Sequence, residues 1–105
     1  VKLLGDASKP GPYIRLVKWL PGNMSRPHYH STTRHFYIAS GTWWVGSSGT
    51  YDPAKTYPMR TGTFVTHHAG KAHFDGAKDE PGGLFEAGVG PIASTPCKQP
   101  SDCPQ

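Results

Sequence analysis

Short runs rich in β-branched and aromatic residues recur along the whole chain, and glycine, proline, asparagine and serine separate them. None of the runs has the spacing of an amphipathic helix, whereas several alternate between apolar and polar positions. We therefore predict short strands throughout and an all-β antiparallel sandwich or barrel. The predicted strands lie at residues 13–20, 28–30, 36–40, 42–45, 56–60, 63–67, 72–75 and 84–88, with Gly41 separating the third from the fourth.

Composition narrows the fold and the classes of partner. The 105 residues include 13 glycines and 11 prolines, a content that disfavours long helices. Apolar runs are no longer than four residues, so we expect neither a membrane-spanning helix nor the core of a secretion signal. The net charge of +4 is spread along the chain, and we expect no nucleic-acid surface.

The length predicts one domain, which we place at residues 1–90, followed by a proline-rich tail at residues 91–105. The chain has two cysteines, Cys97 and Cys103, and both lie in this tail. Their spacing is typical of a small disulfide loop, and a disulfide favours an extracellular or periplasmic protein whose leader has been removed. Two free thiols in a cytosolic protein are the alternative.

Candidate chemistry is concentrated in histidines. All six fall in two short clusters, and imidazole is a common ligand of copper, iron, nickel and zinc. Residues at i and i+2 of a strand point to the same side, so His28 and His30 can bind one ion together. A ligand from a neighbouring strand would complete a metal site. The two clusters are His28, His30 and His35, and then His67, His68 and His73.

The segment from Gly22 to His30 resembles the first motif of the cupin family, in which a glycine is followed by five residues and then His-x-His; the motif closes at Gly41. The segment from Gly62 to His73 resembles the second motif, with histidine at position 68 where the family has proline. The resemblance covers roughly residues 10–91 and includes both motifs in order. The resemblance implies an all-β cupin jelly-roll barrel of about eight antiparallel strands without a major helix, and a metal held by His28, His30 and His73.

The glutamate that is the fourth ligand in the family is missing here, and Arg34 or His35 takes its position. If Arg34 points inward, Phe36 and Ile38 share its face, which suits an apolar interior. We therefore favour a three-histidine site and keep His35 as fourth ligand as the alternative. A cation beside the metal is costly unless an anion lies between them. Arg34 is thus a candidate for binding a carboxylate, a reduced oxygen species or a polar substrate group, or it turns outward to a surface acid.

Three further polar residues lie near the second motif. We expect no direct coordination from His67 and His68, which are predicted to support the ligands or to face solvent. Asp75 comes two residues after His73 and can share its face, so it is a candidate, with Arg34, for a catalytic role in handling protons and charge. The alternative for Asp75 is the acid of an Asp-Gly turn.

Three neutral nitrogens without a carboxylate favour copper, then iron, then zinc or nickel, and they leave coordination positions open. We predict a secreted, mononuclear metal-dependent oxidoreductase. Its resemblance to copper cupins that oxidise cellulose implies a carbohydrate substrate with oxygen or hydrogen peroxide. An iron dioxygenase of a small organic molecule and a metal- or ligand-binding module without turnover are the alternatives. Because cupins often pair through their sheets, we also predict a homodimer.

Overall fold

A computed structural model describes residues 1–103, and in this range the chain is built from strands. The prediction of an all-β fold without a major helix is confirmed, since the helical elements among these residues are two single turns of 3-10 helix, Pro53–Lys55 and Pro100–Asp102. None of the helices in this range is long and apolar enough to span a membrane. The strands are β1 (Lys2–Leu4), β2 (Gly11–Trp19), β3 (His28–His30), β4 (Arg34–Gly46), β5 (Tyr57–Arg60), β6 (Phe64–His67), β7 (Phe74–Gly76), β8 (Gly82–Gly90) and β9 (Ser94–Pro96).

Seven of the strands form one antiparallel sheet in the order β1-β2-β8-β4-β5, and β6 and β7 also pair with β4. Strands β2 and β8 pair along their whole length, from Gly11 opposite Gly90 to Trp19 opposite Gly82. Strand β3, which carries two of the candidate ligands, pairs instead with β9 near the end of the chain. Strand β4 therefore pairs with four others, β5, β6, β7 and β8, which is more than any other strand of residues 1–103.

Strand β4 runs through Gly41, so the prediction that Gly41 separates two strands is wrong. The first part of β4 pairs with β6 and β8, and the last part pairs with β5 and β7. Gly41 has φ +67, and a Cβ at this position would collide with the carbonyl oxygen of Pro81. The glycine therefore bends the strand from one group of partners to the other without ending it.

The core follows from the alternation of side chains along β4 and β8. From Arg34 to Ile38 every second residue of β4 is buried and the residues between them are exposed, which is the period expected of a half-buried strand. Of the two adjacent tryptophans, Trp43 is fully buried and Trp44 is half-buried beneath the ammonium group of Lys78, because neighbours on a strand point to opposite faces. The core cluster consists of Phe36, Ile38, Trp43, Val45 and Leu84.

The segment after residue 90 packs against the strand that carries the histidines. In β9, Thr95 lies opposite Tyr29 of β3, and the amide of Cys97 donates a hydrogen bond of 2.9 Å to the carbonyl of Pro27. Cys97 is joined to Cys103 by a disulfide. Strand β9, which lies in the predicted tail after residue 90, therefore supports β3. Pro104 and Gln105, at the end of the predicted tail, lie outside the described residues.

Candidate metal centre

The structure brings His28, His30 and His73 together. One ring nitrogen of each lies within 4.8 Å of the others, so the three residues could hold a single metal ion. The backbones of His28 and His73 form an antiparallel bridge with two hydrogen bonds of 2.9 Å. This bridge places the second-motif histidine beside β3, and the i and i+2 spacing on β3 directs the other two toward it.

Local contacts orient two of the three rings. Nδ1 of His28 lies 2.7 Å from the carbonyl oxygen of Arg26, and Nδ1 of His73 lies 3.5 Å from that of Lys71. A carbonyl only accepts hydrogen bonds, so each Nδ1 donates and each Nε2 keeps its lone pair. This arrangement is typical of histidines that bind a metal through Nε2.

Burial keeps the ligand histidines neutral. His30 and His73 are 9% and 4% exposed. Burial, together with the positive charge of Arg34, lowers the pKa of His30 to about 3 and that of His73 to about 2. At neutral pH both rings are therefore uncharged and their lone pairs are available, as a metal requires. Nitrogen donors of this kind fit a transition metal.

Arg34 points into the site and His35 points away from it. Arg34 is 5% exposed, and its Nη2 lies 2.9 Å from Nδ1 of His30 and 3.3 Å from Nε2 of His73. His35 is exposed on the other face of β4, where its Nδ1 lies 3.1 Å from Oγ1 of Thr66. Of the two orientations considered from sequence, the structure has the one with Arg34 inside, and it does not bring His35 to the histidine cluster.

A buried glutamate faces Arg34 from β8, and sequence analysis missed it. Glu86 is 2% exposed, and its Oε2 lies 3.5 Å from Nη1 of Arg34. Arg15 donates to both of its oxygens at 3.1 Å, and the hydroxyl of Tyr13 donates to Oε2. Glu86 is two residues from the buried Leu84 on the same strand, and this alternation was a signal that it points inward. Burial and the neighbouring carboxylate raise the pKa of Tyr13.

Asp75 lies within β7 opposite Val45, and not in the Asp-Gly turn that was its alternative interpretation. Its carboxylate accepts hydrogen bonds from Oγ of Ser25 at 2.6 Å and from Nε1 of Trp43 at 3.2 Å. Burial raises the pKa of Asp75. Strand β7 approaches the first motif closely because Gly76 has no side chain: a Cβ there would collide with the carbonyl of Asn23.

The two remaining histidines occupy different surroundings. The ring of His67 packs 4.1 Å from that of His73 and 5.2 Å from that of Trp43, and burial lowers its pKa to about 3. Both of its ring nitrogens are buried and have no hydrogen-bond partner among residues 1–103. His68 is exposed in the turn that Gly70 permits with φ +75. Neither belongs to the group of three that could hold an ion.

Two clefts reach the cluster. The first has a volume of about 490 Å³, and the second, of about 440 Å³, approaches from the side of His67 and His73. The first cleft carries the charged groups described above, so a molecule entering it meets ligands, a guanidinium and a carboxyl group together. Its polar lining includes His28, His30, Arg34, Asp75, Glu86 and Arg15.

The strand arrangement is the cupin fold, and solved structures show this independently. No protein-family model matches the sequence, and no curated protein matches it. A cupin-like protein from Thermotoga maritima is similar with a TM-score of 0.71 and 17% identity over 89% of this chain and 71% of that one. The polyketide cyclase RemF from Streptomyces resistomycificus is similar with a TM-score of 0.69 and 17% identity over 94% of this chain and 64% of that one.

A third similar structure is the salicylate 1,2-dioxygenase from Pseudoaminobacter salicylatoxidans, with a TM-score of 0.68 and 16% identity. The similarity covers 87% of this chain and 28% of that one. At these identities the comparisons establish the fold alone. The cupin fold and the three-histidine cluster together fit a metal-binding cupin.

Proposed function

We propose that this protein is a mononuclear metal-dependent cupin oxidoreductase, with the metal held by His28, His30 and His73. The observation that carries the proposal is the convergence of the three imidazoles within 4.8 Å, with two of them lining a cleft that also contains a buried guanidinium and a buried carboxyl group. The all-nitrogen donor set supports copper first and iron second, with zinc or nickel less favoured. When bound, the metal would supply an open coordination position and one-electron redox chemistry for oxygen or hydrogen peroxide.

In this proposal the side chain of Arg34 binds the substrate and the side chain of Asp75 takes part in proton transfer. Arg34 binds an anionic group of the substrate, since a guanidinium forms paired hydrogen bonds with a carboxylate. Burial raises the pKa of Asp75, and its carboxyl group is the candidate that exchanges a proton with the substrate at the wall of the cleft. The bonds from Ser25 and Trp43 keep its oxygens in place.

The burial of the ligands supports a small anionic molecule as substrate. His30 and His73 are at most 9% exposed, so the reacting atoms must enter the cleft to reach them. Arg15 and Lys18 line the same cleft and add positive charge to it. The solved structure of a salicylate dioxygenase with this fold is consistent with such chemistry.

A carbohydrate is the second candidate substrate. Trp19, which is half-buried, lines the first cleft, and an indole ring with one accessible face can stack against a sugar. A carbohydrate substrate would suit a secreted protein, and the Cys97–Cys103 disulfide supports secretion. A homodimer would cover the exposed aromatic side chains of Tyr37, Phe64 and Phe85, which are neighbours in register on the outer face of the sheet.

The proposal is tested by metal analysis and by electron paramagnetic resonance after copper loading. We expect one ion per chain and the spectrum of a nitrogen-rich copper site, both lost in His28→Ala. The control is His35→Ala, which removes a histidine on the outer face and leaves the signal intact. Absence of stoichiometric binding, or equal binding by His28→Ala, would refute the metal site.

The substrate classes are separated by oxygen consumption. The loaded protein is supplied with aromatic and aliphatic carboxylates in one series and with cello-oligosaccharides in the other. Turnover of a carboxylate that Arg34→Gln abolishes supports the first candidate, whereas turnover of the oligosaccharides alone supports the second. Binding of the metal without turnover in either series would leave a ligand-binding module as the function.

A further inference from the structure

The guanidinium of Arg34 lies where a metal ion would need the lone pairs of two ligands. Its Nη2 donates toward Nδ1 of His30 at 2.9 Å and toward Nε2 of His73 at 3.3 Å. Each of these contacts uses the lone pair of a ring nitrogen, because a guanidinium is a donor only. A metal ion bound to these two rings and the contacts from Arg34 would therefore need the same lone pairs.

At His73 a bound metal ion and the hydrogen bond from Arg34 cannot coexist. Nδ1 of His73 faces the carbonyl of Lys71 and carries the proton, so Nε2 holds the lone pair of the neutral ring. A metal bound through that Nε2 uses the lone pair, and the hydrogen bond from Arg34 then has no acceptor.

At His30 the conclusion is the same for either ring nitrogen. If the metal binds Nδ1, the lone pair that accepts the bond from Arg34 is used directly. If the metal binds Nε2, the neutral ring carries its proton on Nδ1, and an N–H then faces the N–H of the guanidinium. In both cases the contact at 2.9 Å is lost and becomes repulsive.

An acceptor for the displaced guanidinium is already in place. Nη1 of Arg34 lies 3.5 Å from Oε2 of Glu86, and its Nε is buried without a partner among residues 1–103. A small rotation toward Glu86 would therefore shorten one ion pair and separate the guanidinium from the ion. Glu86 is held by Tyr13 and Arg15, so it does not have to move.

We propose that Arg34 competes with the metal for His30 and His73, and that metal binding displaces its guanidinium toward Glu86. Arg34 is thus a positioning residue that holds the ligand rings together in the metal-free protein and sets the metal affinity. This inference rests on the proposed metal site. It also means that the guanidinium is released from the histidines only when the ion is present, which restricts its binding of an anionic substrate to the loaded protein.

The test is the affinity for Zn²⁺, measured by competition with a chromophoric chelator, which requires no turnover. We expect Arg34→Met to bind Zn²⁺ about tenfold more tightly than the wild type or better, since two charged hydrogen bonds no longer have to be broken. The matched control is Arg60→Met, which removes an exposed arginine of β5 and should leave the affinity within about twofold. Unchanged or weaker binding by Arg34→Met would overturn the inference.

A second measurement applies to the wild type and does not depend on the folding of a variant. In the ¹⁵N spectrum of the histidine side chains, Nδ1 of His30 should be an unprotonated acceptor in the metal-free protein and change state when Zn²⁺ is added. The Nε signal of Arg34 should shift in the same titration. If Zn²⁺ binds and these signals stay fixed, the competition is refuted while the metal site stands; if Zn²⁺ binds neither wild type nor Arg34→Met, the metal site and the competition both fail.

Discussion

Two buried polar clusters lie side by side in this protein, and Arg34 belongs to both. In the first, ring nitrogens of His28, His30 and His73 lie within 4.8 Å of one another. In the second, Glu86 accepts bonds from Tyr13 and from two nitrogens of Arg15. The histidine cluster presents ring nitrogens whose lone pairs can bind a metal, two of which accept hydrogen bonds from Arg34, whereas the glutamate cluster pairs a carboxylate with two guanidinium groups and a hydroxyl.

The difference indicates what each cluster is for. A buried carboxylate is stable in a folded protein only when it is paired and hydrogen-bonded, and Glu86 meets this condition within the chain itself. Both ring nitrogens of His67, which packs beside these histidines, are buried and have no hydrogen-bond partner within residues 1–103. Buried polar atoms without partners are typical of sites that bind a ligand. The comparison predicts that the glutamate cluster contributes stability and the histidine cluster contributes binding.

Removal of Glu86 should have the largest effect on stability. Glu86→Ala leaves the buried guanidinium of Arg34 without its counter-ion, and we expect a loss of about 3–5 kcal/mol in the free energy of unfolding. Urea unfolding followed by tryptophan fluorescence measures it. The control is Glu80→Ala, which removes an exposed glutamate that accepts one bond from Thr42. A loss below 1 kcal/mol for Glu86→Ala would show that the glutamate cluster is not structural.

A fall in pH should destabilise the folded protein through its buried histidines. The pKa of His30, His67 and His73 is lowered to about 3 or below in the folded protein, against 6.5 for an unperturbed histidine. Below pH 6.5 the unfolded chain therefore binds protons that the folded chain does not, so stability is complete above this pH and is lost as the pH falls toward 3. Each fully buried histidine contributes at most about 1.4 kcal/mol per pH unit to the slope of the unfolding free energy against pH.

The measurement is urea unfolding of the metal-free protein at pH 7, 6, 5 and 4. His67→Phe should reduce the slope of unfolding free energy against pH by about 1 kcal/mol per pH unit, because it removes one of the titrating histidines. The substitution places an apolar ring of similar shape between His73 and Trp43. His35→Gln, on the exposed face, serves as control and should keep the wild-type slope. A flat profile between pH 6 and 4 would contradict the burial of the neutral rings.

The smallest effect is expected at the edge of the glutamate cluster. Tyr13→Phe removes one donor to Glu86 while Arg15 and Arg34 continue to pair with it, so we expect a loss of about 1 kcal/mol. The same urea experiment measures it, and Tyr37→Phe on the outer face is the matched control. If Tyr13→Phe costs as much as Glu86→Ala, the hydroxyl and not the ion pairs holds the carboxylate.

Much of the site could be predicted from local patterns. His28 and His30 share a side of β3 because the side-chain period of a strand is two, and the same period places Arg34 on the inner face with Phe36 and Ile38. The third histidine required the resemblance to a cupin motif, since the bridge between His28 and His73 joins residues that are far apart in the chain. Short strands such as β1 and β9 were missed, because three residues carry too little periodicity to be distinguished from a loop.

The sequence by itself determined the all-β class, the strand faces and the residue types that can bind a metal, because each of these depends on composition or on neighbours a few positions apart. Only the tertiary structure decided that β4 bends at Gly41 without ending and that Glu86 lies beside Arg34. It also decided that the Arg34 guanidinium reaches the lone pairs of two ligands. Such contacts join strands across long sequence separations, and their distances arise only when the sheet has packed its core.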